Sequence, residues 1–487
     1  MNELQMKFIF DKKIVRIFKL LDILEQKGEI SISQLINTLK VSKRTIIYDI
    51  QEIAGYFKHT IRLDSSLKGY NFSILDHRKY VLQKEKLLIN EPMLIILESI
   101  FFNKCLSVYE WSIKLFLSES SIFRYINIIK HHLADYDIDI ATNPIDLIGK
   151  EINIREFFHD FYYESDITPY TVFPSSKIHK ITFDLTTKNF FAEYAPLYFE
   201  DLNYYIFVAI TRFFNGKEIE SVPLNLICYN KKKEELYFNN VHEVMVKHFG
   251  EDLSINEKRY LYYILLVKRS VNDYKAEVNF LSLLPTIDKV ELWIKKYMDQ
   301  HVSSNIEIKK IKTFIKSFFY SIYIKHSLSP ILNQTTLDVK SHIKRNYSSH
   351  YEESLLFIAN FLAKDLQLNE RATQDISANL TIFIISLFAQ FPKKKLKIAF
   401  ILEGNYYICD HIRSVAVRYL GESHFLTFVT ADKIHSNYFK NNYFDLVVTN
   451  YYQYVTEYLH DYNHLIFNRI PSSNDWNRLF KIAQLIL

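Results

Sequence analysis

Five hydrogen-bonding side chains stand close together near the start of the chain: Lys43, Arg44, Thr45, Tyr48 and Gln51. Arg44, Tyr48 and Gln51 fall at i, i+4 and i+7, so a helix would carry them on one face. A guanidinium, a phenol and a carboxamide on an exposed stripe can meet base edges in a DNA major groove, and Lys43 and Thr45 at the helix start suit phosphates. On an ordinary helical hairpin the same residues would form a solvated face and nothing more.

A second set lies 76 residues on. Ser120, Ser121, Arg124 and Asn127, with His131 beyond them, again make a polar stripe at helical spacing. Here too serine, guanidinium and carboxamide groups could reach phosphates and base edges.

The elements that must position these side chains follow from apolar spacing. Ser31 to Phe57 reads as two short helices joined at Val41-Ser42, with Ser42 capping the second. Ile46, Ile50, Ile53 and Phe57 form the buried stripe opposite the polar one. At the 76-residue offset Ser31 and Ser42 become Ser107 and Ser118. The four stripe residues become Ile122, Ile126, Ile129 and Leu133. Agreement across both helices and the turn at one constant offset points to a tandem duplication. Lys12 to Lys27 is an amphipathic third helix, matched by Pro92 to Lys104. Asp76 to Asn90 is a charged helical connector.

Beyond the first pair, IRLDSSLKGYNFS (Ile61 to Ser73) predicts two strands around a turn carrying Lys68, a wing able to touch the DNA backbone. A plain surface hairpin would look the same. Asp137 to Ile154 is the candidate second wing.

Composition bounds the rest. A chain of 487 residues with 48% hydrophobic content has enough apolar material for several cores. Net charge is only +5, which excludes a histone-like polycation, but residues 1–75 hold 12 basic against 8 acidic residues while residues 76–150 hold 9 against 10. The first unit should therefore carry most of the salt-sensitive affinity. Eight glycines and ten prolines predict a mainly α protein with short connections. Cys105, Cys228 and Cys409 lie far apart, which fits reduced thiols in a cytoplasmic protein. Seventeen histidines show no metal-binding spacing, so no metal or cofactor is expected. No run of about 18 uncharged apolar residues and no signal-peptide layout occur, so no membrane partner is expected either. Walker, G-x-S-x-G and dinucleotide-binding glycine motifs are missing, and the expectation is a non-enzyme.

After Phe391-Pro392 a basic KKKLK stretch marks a boundary, and the tail alternates continuous apolar strands with helices. Leu396 to Leu402 leads, and Ser473 to Leu487 closes as a helix. That pattern predicts a small parallel sheet covered on both faces.

In the order and size of its parts the full chain resembles the Mga/AtxA-type regulators of Gram-positive bacteria, global transcription factors that contain phosphotransferase-system regulation domains (PRDs). The resemblance implies five domains: winged helix-turn-helix 1 (1–75), an Mga-type helix-turn-helix 2 (76–172), PRD-like helical domains at 173–283 and 284–392, and an EIIB-like α/β domain at 393–487. It implies double-stranded DNA as partner, a homodimer, and contact with phosphotransferase-system phosphocarrier proteins. Phe190 to Glu220, with Arg212 and Gly216, is similar to a PRD signature helix. The chain departs from that pattern where phosphorylatable histidines would stand, with Tyr205, Ile264 and Phe383. The EIIB-like strand ends in Leu402-Glu403-Gly404 and lacks the expected cysteine. Two other readings stay open: a phosphate-passing protein of the phosphotransferase system, and an RNA-binding antiterminator. The narrow major groove of A-form RNA disfavours the second.

Overall fold

The computed structural model describes residues 3–66, 69–187, 199–223, 231–268, 273–302, 307–391, 395–421, 424–430, 433–434, 438–439 and 442–485. The chain is predominantly helical and multidomain, with helix-turn-helix elements at its N-terminal end and small β-sheets. It divides into two compact units, one of Met1–Glu291 with Lys316–Ala378, the other of Leu292–Ile315 with Asn379–Leu487.

In the first unit a short helix α1 (Glu3–Met6) precedes α2 (Lys12–Lys27), which Asp11 caps by accepting from the amides of Lys13 and Ile14. Then come β1 (Glu29–Ile30), α3 (Ile32–Leu39), α4 (Lys43–Tyr56), β2 (Ile61–Ser66) and β3 (Gly69–Ile74). β1 and β2 both pair antiparallel with β3. Gly69 is required where β3 passes β1: its φ is +139°, and an added Cβ would stand 2.0 Å from the Ile30 carbonyl oxygen. Leu21, Leu24, Leu35, Ile46, Ile50 and Phe57 meet in one buried cluster, so the isoleucine stripe of α4 faces inward.

After α5 (His77–Lys86) the plan is repeated by α6 (Pro92–Phe101), α7 (Val108–Leu115), α8 (Glu119–Leu133), β4 (Ile138–Thr142) and β5 (Ile145–Gly149). The 76-residue offset reaches the backbone. Ser31 and Ser107 each form a capping box, with Gln34 and Glu110. Lys40 and Phe116 both end their helices in the left-handed conformation at φ 54°. The Ile145 amide donates to Leu106, at the place where β1 pairs in the first copy. The second hairpin is shorter than its sequence suggested: it stops at Gly149, and Glu151–Tyr163 forms helix α9. Nearly every side chain of α9 from Ile152 to Tyr162 is buried, so hydrogen bonding no longer competes with continuous packing there.

Helices α10 (Ser176–Thr187), α11 (Phe199–Phe214), α12 (Lys231–Phe249) and α13 (Ile255–Val267) pack beyond α9. Four buried charges join α9 to α11 and α13. Arg155 donates to Glu257 through Nη1 at 2.7 Å and Nη2 at 2.8 Å, and Nε of Arg155 reaches Glu151 at 3.1 Å. Arg212 grips the other side of Glu151 with two bonds of 2.8 Å. The set is charge-balanced, which is what lets it stay ionised without water.

In the other unit β6 (Lys397–Ile401), β7 (Phe425–Val429), β8 (Leu446–Thr449) and β9 (His464–Ile466) form a parallel sheet in the order β7-β6-β8-β9. Ile398, Phe400 and Val448 pack on one face against the helices Tyr406–Leu420 and Ser473–Leu485. Ala399, Ile401 and Val447 pack on the other against Phe439 and Leu459. The expected helix near Asp432 lies largely outside the described residues, as do Lys393 and Lys394 of the KKKLK boundary. Among the described residues one helix, Glu370–Gln390, is long and apolar enough to cross a membrane. It carries Asp375, fully buried and paired with Lys340, as a packed helix would.

Candidate nucleic-acid interface

The α4 helix starts where Ser42 takes up an orphan amide: its Oγ accepts from Thr45 N at 3.1 Å and lies 2.8 Å from Thr45 Oγ1. Thr45 is half-buried and partly committed to the cap, while Lys43 and Arg44 in the first turn are exposed. Tyr48 is 59% exposed, with the Lys13 ammonium 5.8 Å from its ring centre, and Gln51 is exposed one turn on. From Arg44 to Gln51 this stripe runs about 10 Å along the helix, the length of about three base pairs.

Two ion pairs fix the helix that carries it. Asp49, fully buried on the inner side of α4, accepts two bonds from Arg16 of α2, one of them Nη2 at 2.9 Å. Glu52 is held by Lys13 at 2.6 Å, so the carboxylate nearest the polar stripe is neutralised. The helical period sets Asp49 among the inward-facing isoleucines without showing its partner. Lys68, the expected wing contact, lies outside the described residues. The hairpin on either side of it keeps full register from Ile61 with Ile74 to Ser66 with Gly69.

In the second copy Ser118 accepts from Ser121 N at 3.2 Å, and its hydroxyl lies 2.9 Å from those of both Ser120 and Ser121. Ser121 is half-buried like Thr45. Ser120, Arg124 and Asn127 are exposed and line a shallow groove with Phe123, Ile128 and His131. Arg124 lies 5.4 Å from the ring of Tyr125, which itself stacks on Phe10 at 4.0 Å. Burial and the nearby Lys7 hold His132 below its ordinary pKa. Glu119 is exposed in the first turn of α8, beside this stripe.

The two copies differ on their outer faces as much as they agree inside. Ser33, Asn37 and Lys40 on the first are replaced by Tyr109, Ile113 and Phe116, and Phe116 is 95% exposed. Arg44, Tyr48 and Gln51 correspond to Ser120, Arg124 and Asn127.

Residues 70–162 match the Mga helix-turn-helix domain. Residues 16–71 match a second model, described as an HTH domain. The two matches abut within β3, so together they cover both copies of the repeat. Among curated proteins the chain is similar to the capsule synthesis positive regulator AcpA of Bacillus anthracis, 22% identical over 421 residues, which cover 80% of this chain and 83% of that protein. It is also similar to a trans-acting regulator of Streptococcus pneumoniae serotype 4, 26% identical over 161 residues, 33% of this chain and 32% of the relative. The chain thus carries two helix-turn-helix domains at its N-terminal end, the second matching the Mga type, it is similar to bacterial regulators, and the matched domains are non-catalytic.

Tyr205, Ile264 and Phe383 offer no imidazole. Tyr205 is buried with its hydroxyl 3.1 Å from Glu156, and Ile264 is fully buried. Phe383 is half-buried. His179 and His242 bond to the Ser175 carbonyl and to Asp252. After β6, Glu403 is latched by Asn450, which accepts from its amide and donates to its carbonyl, each at 2.8 Å, while Tyr454 donates to the Glu403 carboxylate. Cys409 sits a turn and a half farther on, half-buried, its thiol pushed up by burial.

Proposed function

We propose that this chain is a transcription regulator that binds duplex DNA through its two N-terminal winged units. The observation that carries the reading is the repeat itself. Twice, at a fixed offset, a serine-capped helix is held by a buried isoleucine ladder with its polar stripe facing solvent. A helix so presented fits a major groove, and its first-turn amides face phosphate.

In this reading Arg44, Tyr48 and Gln51 contact bases. Lys43, Thr45 and Lys68 contact phosphates, and Ser120, Ser121, Arg124 and Asn127 serve the second unit. In the same reading residues 173–283, 284–392 and 393–487 act in regulation and pairing of two copies. Phosphorylation by histidine phosphocarriers finds no acceptor at Tyr205, Ile264 or Phe383.

The test is fluorescence anisotropy on DNA from upstream of the coding region, across a salt series. Lys43→Ala with Arg44→Ala removes one phosphate contact and one base contact worth about 1–3 kcal/mol, so affinity should fall at least tenfold, with a salt slope shallower by about one. Unchanged affinity in a folded double variant would overturn the assignment.

A further inference from the structure

Outside the DNA-reading face, three ligand-type side chains from two helices converge. His159 lies on α9, Glu164 follows directly after it, and Asp201 stands in the first turn of α11. One donor atom from each lies within 4.8 Å of the other two. His159 Nε2 and Asp201 Oδ1 are 3.0 Å apart. Metal–ligand bonds of about 2.1 Å place neighbouring octahedral ligands about 3 Å apart, so the spacing already suits one shared ion.

The imidazole is oriented from behind. It is 1% exposed, Tyr205 stacks on it at 3.9 Å and 21°, and Tyr163 meets it edge-on at 5.8 Å. Its other nitrogen, Nδ1, is fully buried, makes no hydrogen bond, and faces the Asp160 carboxylate at 3.7 Å. Asp160 is fixed in turn by the Tyr136 hydroxyl at 2.7 Å. A carboxylate behind a histidine, with the opposite nitrogen turned to the Asp201 carboxylate, is the arrangement that sets a ligating imidazole's tautomer and basicity. Glu164 also lines an open acidic groove with Asp22, Glu25 and Asp166, which supplies a path from solvent.

We propose that His159, Glu164 and Asp201 bind one divalent first-row transition-metal cation, closing the end of α9 onto the start of α11. One imidazole with two carboxylates favours ions of the Zn2+ and Mn2+ type over Mg2+ or Ca2+, which prefer oxygen alone. No motif spacing announces the site, because its ligands come from separate helices.

The experiment uses the full chain stripped with EDTA, then titrated with ZnCl2 or MnCl2 by equilibrium dialysis with elemental analysis, and with Mn2+ by electron paramagnetic resonance. The expected result is one equivalent per chain and a raised Tm. Glu164→Gln and Asp201→Asn should each weaken binding at least tenfold. Glu164 is exposed, so its variant folds even if a His159 variant does not. Wild-type protein that takes up no specific equivalent, or variants that keep wild-type stoichiometry and affinity, would refute the site.

Discussion

Glu257→Gln tests whether the buried charges between α9, α11 and α13 act as one balanced set. The Glu257 carboxylate takes two bonds from Arg155 and a third from the Ile219 amide at 2.9 Å, and both charged side chains are 1% exposed. Glutamine turns an NH2 toward the guanidinium and strips half its countercharge, leaving two arginines against Glu151 alone. Removing one partner of a buried pair costs about 3–5 kcal/mol. Spread over a unit of about 350 residues with an unfolding entropy of about 2.1 cal/mol/K per residue, that lowers Tm by about 4–7 °C. Differential scanning calorimetry reads the shift, and hydrogen exchange at the Ile219 amide should accelerate with it. The companion Arg155→Met with Glu257→Leu leaves Arg212 paired with Glu151 and should cost far less. A Glu257→Gln protein that melts within 1 °C of wild type would show the charges are not coupled as described.

Ser42→Ala and Ser118→Ala each delete a helix cap worth about 1 kcal/mol, so exchange of the Thr45 and Ser121 amides should speed about fivefold in the respective copy and not in the other. Equal protection before and after substitution would contradict the capping geometry. In metal-free protein the His159 imidazole, raised to about 9 by Asp160 and Asp201 against burial and Lys268, stabilises the fold fully below about pH 6.5. That contribution, up to about 3 kcal/mol, is lost as pH rises from about 6.5 through 9. Urea unfolding followed across that window should show the decline in wild type and a flatter profile in His159→Gln, and identical profiles would exclude the pairing.

Local order alone was enough for much of the helix-turn-helix region. Ser31 with Gln34 and Ser107 with Glu110 are complete capping boxes within four residues, and the stripe Ile46, Ile50, Ile53 needs only helical period to declare its buried side. The constant offset then carried the first copy's reading to the second, and the unbroken apolar strands of the tail declared a two-sided sheet.

What tertiary structure decided are the pairings between residues far apart in the chain. Arg16 meets Asp49, Arg155 meets Glu257, and His159 meets Asp201 only because helices cross there, and charges separated by 33 to 102 residues leave no periodic trace. Packing also settled where the second hairpin ends, since α9 is buried on all sides and its hydrogen-bonding residues read like a strand until their surroundings are known. Spacing along one chain fixes which side of a helix is apolar; which polar group finds which across the core depends on how the helices are brought together.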